Sequence, residues 1–253
     1  MTSEQFITIK EYLESKNIIN ISNEETKMDI RKNGHEYTME EHVAGMLYSL
    51  LSAQTVWKNI ERNMTNINQL FFNFDIEKIK HTDYTYFYNG LGQWGARGRL
   101  TKAQLRVFHY NISVMEKIVE EYGSMDIFVE SAPLYEVIAM LSNPKSKYKF
   151  KMMGEALVCE YLRNVGIDCF KLDRHLVELL GKNRIGLKSG LVPSFQAVYE
   201  EIHNLSIETG LWMAQIDYTL WAFGATGFGE VCSAKPRCSI CPIREGCNRN
   251  EIQ

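Results

Sequence analysis

The chain has 253 residues, 45% of them hydrophobic and 23% charged, with 5 prolines and a formal net charge of −3. That length can bury a substantial core in one large domain or two modest ones, and the composition excludes a disordered or fibrous chain. Slight acidity excludes a generic polycation that holds nucleic acid by bulk charge, although a local basic patch can hide within it.

Taken in chain order, helical spacing recurs and no period-2 strand pattern emerges, which predicts an all-α fold. Residues 3–15 are amphipathic and acidic, and 20–38 read as a loop. Val43, Met46, Leu47, Leu50 and Leu51 form one helical stripe that runs into a polar step at 52–55. Thr101 with Gln104 predicts a capping box for a helix of about six turns, with Leu105, Phe108, Ile112, Met115, Val119 and Tyr122 inward and Gly123 as its stop. Further helices are predicted at 133–142 behind Pro133, at 154–165, at 174–181, at 194–204 after Pro193 and at 207–223. The loops at 20–38 and 166–174 suggest two helical lobes, 40–168 and 1–39 plus 169–253, with a cleft as the natural ligand site. No apolar run is long enough to cross a bilayer and no leader pattern is expected, so the reading is a cytoplasmic monomer without a membrane partner.

Chemistry concentrates in three places. Cys232, Cys238, Cys241 and Cys247 follow the order C-x5-C-x2-C-x5-C, so four thiolates can converge on one metal centre. Both a [4Fe–4S] cluster and a tetrahedral zinc take four sulfurs; the single C-x2-C flanked by longer gaps favours the cluster. A disulfide framework is the bland alternative, and Cys159 and Cys169 sit in apolar surroundings as if reduced. Second, Gly154 opens a helix behind the basic run 144–151, where exposed amides and Lys147, Lys149 and Lys151 can meet a phosphate. A plain hairpin with a solvated lysine face is the simpler account. Third, Asp173 reads as a helix N-cap whose carboxylate can also stabilise a developing cation or activate water, with His175 beside it as scaffold. Another basic run, 97–106, reads alone as a solvated face.

Together, LLSAQT at 50–55, the hairpin at 151–163, KLDRHL at 171–176 and DYTLWAFGATGFGEVC leading into the cysteine loop resemble the helix-hairpin-helix DNA glycosylases of the endonuclease III superfamily. The resemblance covers roughly residues 40–250. It implies base-excision repair on double-stranded DNA carrying a damaged or mismatched base, and nucleoid association in a prokaryote. Gln54 matches the glutamine that fills the space of the flipped base, Asp173 the catalytic aspartate, and the four cysteines the ligands of a [4Fe–4S] cluster. Lys149, Lys151, Gly154, Lys235 and Arg237 become DNA-contacting residues.

Three departures qualify the match. Met152 stands where the family's hairpin has its first glycine, the first cysteine gap is five residues rather than six, and the Schiff-base lysine position is Ala156, or Glu155 by ungapped count from Asp173. The last implies a monofunctional glycosylase without lyase activity. Tyr48, standing where adenine-mismatch members carry a glutamate, argues against that substrate. Trp57, Tyr48, Trp94 and Phe150 are cleft aromatics or plain core. Open alternatives are a non-catalytic iron–sulfur DNA-binding protein, a glycosylase/lyase using Lys149 or Lys151, and a zinc-stabilised helical protein unrelated to DNA.

Overall fold

The computed structural model describes residues 1–21, 26–186 and 193–251, apart from the side chains of 250 and 251. Among the described residues every regular element is helical, so the fold is all-α. In chain order the helices are α1 (Ser3–Ser15), α2 (Lys27–Lys32), α3 (Met39–Ser52), α4 (Trp57–Glu61), α5 (Met64–Leu70), α6 (Ile76–Lys80) and α7 (Tyr84–Gln93). They continue as α8 (Thr101–Tyr122), α9 (Met125–Val129), α10 (Leu134–Ser142), α11 (Glu155–Asn164), α12 (Arg174–Leu179), α13 (Phe195–Thr209) and α14 (Met213–Gly224). Among the described residues no helix is long and apolar enough to cross a membrane. The chain divides into two compact units, Thr26–Ile167 and Met1–Glu25 with Asp168–Gln253.

In the unit at 26–167, α3 packs on both α8 and α11. Val43, Met46, Leu47, Leu50 and Leu51 are all buried, as are Leu105, Phe108, Ile112 and Met115 of α8; each such side chain contributes on the order of 2 kcal/mol. Gly45 permits the close α3–α11 approach, since a Cβ there would stand 3.1 Å from Val165 and 3.2 Å from Asn164. Asn164 then donates to the Gly45 carbonyl at 3.0 Å.

Two buried amides make α8 a brace. Gln104 Nε2 donates to the Leu50 carbonyl at 2.8 Å, fixing the end of α3. Seven residues on, Asn111 exchanges two hydrogen bonds with the Lys151 backbone, accepting from its N–H at 2.7 Å and donating to its carbonyl at 3.0 Å. The expected capping box at Thr101 and Gln104 is therefore absent. Leu100 is the N-cap, the Gly98 amide donates to Thr101 Oγ1 at 2.9 Å, and Gln104 is drawn inward by the Leu50 carbonyl. The expected loop at 20–38 contains α2, which Thr26 opens with a reciprocal capping box to Asp29.

The other unit buries Phe6, Ile9 and Leu13 of α1 with Leu176, Leu179, Val198, Ile202, Ile216, Leu220 and Phe223. Helix α12 ends at Leu179, two residues before the predicted stop. Helix α13 runs to Thr209, past the predicted 204, and α14 begins at Met213 rather than 207, because Gly210 at φ 70° makes a left-handed C-cap between them. Cys159 and Cys169 form no disulfide, and each is fully buried in its own unit.

Candidate functional site

Past the end of α3 the backbone turns left-handed at Gln54, φ 57°, a conformation that a side chain adopts only at a cost. Gln54 is exposed, and its Oε1 accepts from Arg99 Nε at 3.2 Å. Gly98 makes this possible: a Cβ there would sit 2.4 Å from both the Gln54 carbonyl oxygen and Thr55 Oγ1. The basic segment 97–106 is thus folded against the Gln54 turn, a juxtaposition without local sequence signal. Val56, next along, is 60% exposed.

The hairpin between α10 and α11 keeps the backbone of a glycine turn without the glycine. Met152 takes φ 62°, in the region that favours glycine, and leaves its side chain 40% exposed. Gly154 is the N-cap of α11 in an extended conformation, makes no side-chain cap, and has open space where a Cβ would stand. Its glycine character is not required by the backbone; what it leaves is a bare approach to the first amides of α11, with Glu155 in that first turn as a competing negative charge. Lys149 Nζ donates to the Met153 carbonyl, and burial holds its amine below the usual lysine range. Lys151 is exposed, its Nζ 3.6 Å from the centroid of Tyr110. Lys147 is paired with Glu121, and Phe150 is fully buried edge-on to Tyr161. Tyr48, half-buried, donates to Asn68 Oδ1 at 2.5 Å.

Asp173 lies in the other unit as the N-cap of α12. Its Oδ1 accepts from the amides of His175 and Leu176 at 2.8 and 3.2 Å, so both hydrogen bonds of the cap fall on one oxygen of a half-buried carboxylate. The strap leading to it is fastened to α14 twice. Asp168 receives the first amides of that helix, from Met213 at 3.2 Å and Ala214 at 3.1 Å. Asp217, 2% exposed, accepts from the Lys171 amide at 2.9 Å. Neither aspartate was singled out in the sequence, because each acts on a backbone group about 46 residues away.

The same α14 seats the cysteine loop. The amides of Val231 and Cys232 donate to the Phe223 carbonyl, and a Cβ on Gly224 would meet the Cys232 carbonyl oxygen at 2.7 Å and His175 Nδ1 at 3.6 Å. Cys232, Cys238, Cys241 and Cys247 are all free and line one cavity with Arg184, Arg244 and Arg249. Arg184 Nη1 donates to Cys232 Sγ at 2.9 Å and to the Ser233 carbonyl at 3.0 Å, while Asn248 bonds the carbonyls of Lys182 and Arg184. Burial, then the neighbouring sulfurs, push the Cys241 thiol up to about 11 against a hydrogen bond from the Ile243 backbone. Burial also raises Cys232, with Arg184 pulling the other way. Four thiols of one chemical type thus face one cavity, although no three His, Cys, Asp or Glu side chains among the described residues are gathered as the ligands of a metal ion. Arg237 donates to the carbonyls of Glu230 and Gly229 at 2.9 and 2.6 Å and so braces this loop; Lys235 is exposed.

No protein-family profile, curated protein or solved structure matches the chain.

Proposed function

We propose that the chain is a DNA glycosylase that takes a damaged or mispaired base out of the duplex and hydrolyses its N-glycosidic bond. The observation that carries the reading is Asp173: a half-buried carboxylate on a strap fastened twice to α14, with its cap bonds confined to Oδ1. A carboxylate so held keeps its place without a partner's help, which is what electrostatic stabilisation of a transient cation requires.

A base inside the stack cannot be attacked in place, so it is flipped out and Gln54, already held outward on its left-handed turn, fills the gap. The bond from C1′ to the base nitrogen breaks with its electron pair on the base. Asp173 offsets the positive charge left on the sugar and accepts a proton from the water that attacks C1′. The departing base takes up a proton from solvent, Asp173 gives up the one it received from water, and the product is an abasic site. Ala156 and Glu155 supply no amine, so no strand cleavage is expected through either position. Cys232, Cys238, Cys241 and Cys247 would hold a [4Fe–4S] cluster, whose contribution is to brace the loop that carries Lys235 and Arg237 and to set its local charge.

Base release from a panel of lesion duplexes, assayed with and without alkali, tests the reading. Asp173→Asn should lower release by about 10²-fold or more, with alkali-dependent breaks in the wild type. Undiminished release by the variant would rule the assignment out, and a wild type that binds duplexes without releasing any base would favour a binding protein.

A further inference from the structure

Five cations, Arg97, Arg99, Lys102, Arg106 and Lys151, are exposed in the unit at 26–167. Among the described residues none of them has a carboxylate partner, whereas lysines beside the far half of α8 are paired, Lys80 with Glu116 and Lys147 with Glu121. Four of the five are held over tyrosine rings instead. Arg97 and Lys102 both lie over Tyr88, 4.6 and 5.9 Å from its centroid; Arg106 lies 5.2 Å from Tyr84, and Lys151 lies 3.6 Å from Tyr110. The fifth, Arg99, is bonded to Gln54. Asp83, next to Tyr84, is spent on capping α7 through the Thr85 amide at 2.9 Å.

These positions form one line. Tyr84 and Tyr88 are four residues apart on α7, and Lys102, Arg106 and Tyr110 follow at four-residue steps on α8. The buried Gln104 and Asn111 side chains tie the two ends of that line to the Leu50 carbonyl, before the Gln54 turn, and to the Lys151 backbone. A ring face restrains a cation without neutralising it, leaving its outer hydrogens for an anion. We infer that this tyrosine-backed row of unpaired cations is a track for the sugar–phosphate backbone of duplex DNA, running from the Gln54 turn along α8 to the hairpin. The stretch from Lys102 to Tyr110 is about 12 Å, the rise of three or four phosphates along one strand. Regular negative charge at that spacing matches the row, and sequence plays no part in the recognition.

The inference rests on the DNA reading above and is tested separately from base release. Fluorescence anisotropy of a labelled, undamaged duplex titrated with the full-length protein between 50 and 200 mM salt gives the slope of log K against log salt. The triple variant Arg97→Gln, Lys102→Gln, Arg106→Gln should lose about 2.7 from the magnitude of that slope, near 0.9 per phosphate contact, while Lys80→Gln should leave it unchanged. All the substituted residues are exposed, and unchanged circular dichroism of each variant verifies folding. A wild-type slope retained by the triple variant, with base release still dependent on Asp173, would overturn the track alone. A wild type with no affinity for duplex DNA would overturn the track together with the reading beneath it.

Discussion

Met152 pays a conformational cost that a glycine would avoid. Left-handed backbone disfavours a side chain by roughly 1–2 kcal/mol, partly offset by the extra freedom glycine has when unfolded. Met152→Gly should therefore leave stability equal or raise it by up to about 1 kcal/mol, read as a thermal midpoint no lower than the wild type's; a clear drop would mean that the Met152 side chain makes a contact worth more than its strain. Gly154 offers the complementary case. Because a Cβ there meets nothing, Gly154→Ala should keep the midpoint yet weaken duplex binding if a phosphate closes on the α11 amides. A second residue-scale device is buried: His42 Nδ1 lies 2.6 Å from Tyr161 Oη and its Nε2 3.3 Å from Asp126, which also pairs with Arg31. Burial holds the His42 imidazole below its ordinary value, and Asp126 is held below the carboxylate range because hydrogen bonds from His42 and Arg31 outweigh the opposing effect of burial. Both folded values lie below the unfolded ones. As pH falls below about 6.5 the unfolded chain takes up a proton that folded His42 refuses, and below about 4 the Asp126 contribution fades in turn, so stability should fall in two steps. Urea midpoints measured from pH 7 to 3 check this, and a flat profile would contradict it. Asp126→Asn, which leaves Arg31 with the exposed Glu130 as its carboxylate partner, should cost about 1–3 kcal/mol.

At the scale of elements, the long periodic helices were legible and the devices that connect them were not. The stripe Val43 to Leu51 and the stripe Leu105 to Met115 gave α3 and α8 because apolar side chains at helical spacing have few other places to go. Gly123, Pro133 and Pro193 marked ends correctly because their constraints are local. The Thr101–Gln104 pattern failed because a buried carbonyl at Leu50 outbid the helix terminus for the glutamine. Helices α4, α5, α6 and α9 span five to seven residues, too few to establish a period, and the ten-residue α7 was also not expected. Asp217 exemplifies a structural support that no spacing reveals, and its removal should act through position. Asp217→Ala leaves the Lys171 amide without its acceptor, so base release should drop at least as far in turnover as in substrate affinity. An unchanged rate with saturating duplex would show that the strap needs no such fastening.

For the whole molecule, the site residues fall into two sets by unit: Gln54, the basic row and the hairpin in one, Asp173 and the four cysteines in the other. Spacing alone identified the cysteines as a group; of the arginines around them, Arg244 and Arg249 lie in or beside the loop, whereas Arg184 stands 48 residues before Cys232 and has no signal in that spacing. Filling the loop with a cluster should stabilise the unit that Phe223 and Val231 anchor, since binding to the folded state alone adds to its stability. Protein from which iron has been stripped should thus melt lower than the loaded form, and equal midpoints would count against a bracing role.

The sealed interior positions of Cys159 and Cys169 also have a practical corollary. With both at 0% exposure, neither can reach a thiol-reactive reagent while the fold holds. Every sulfhydryl titrated in native protein therefore belongs to the terminal loop, and the difference between native and denatured counts is an internal gauge of how fully that loop is occupied.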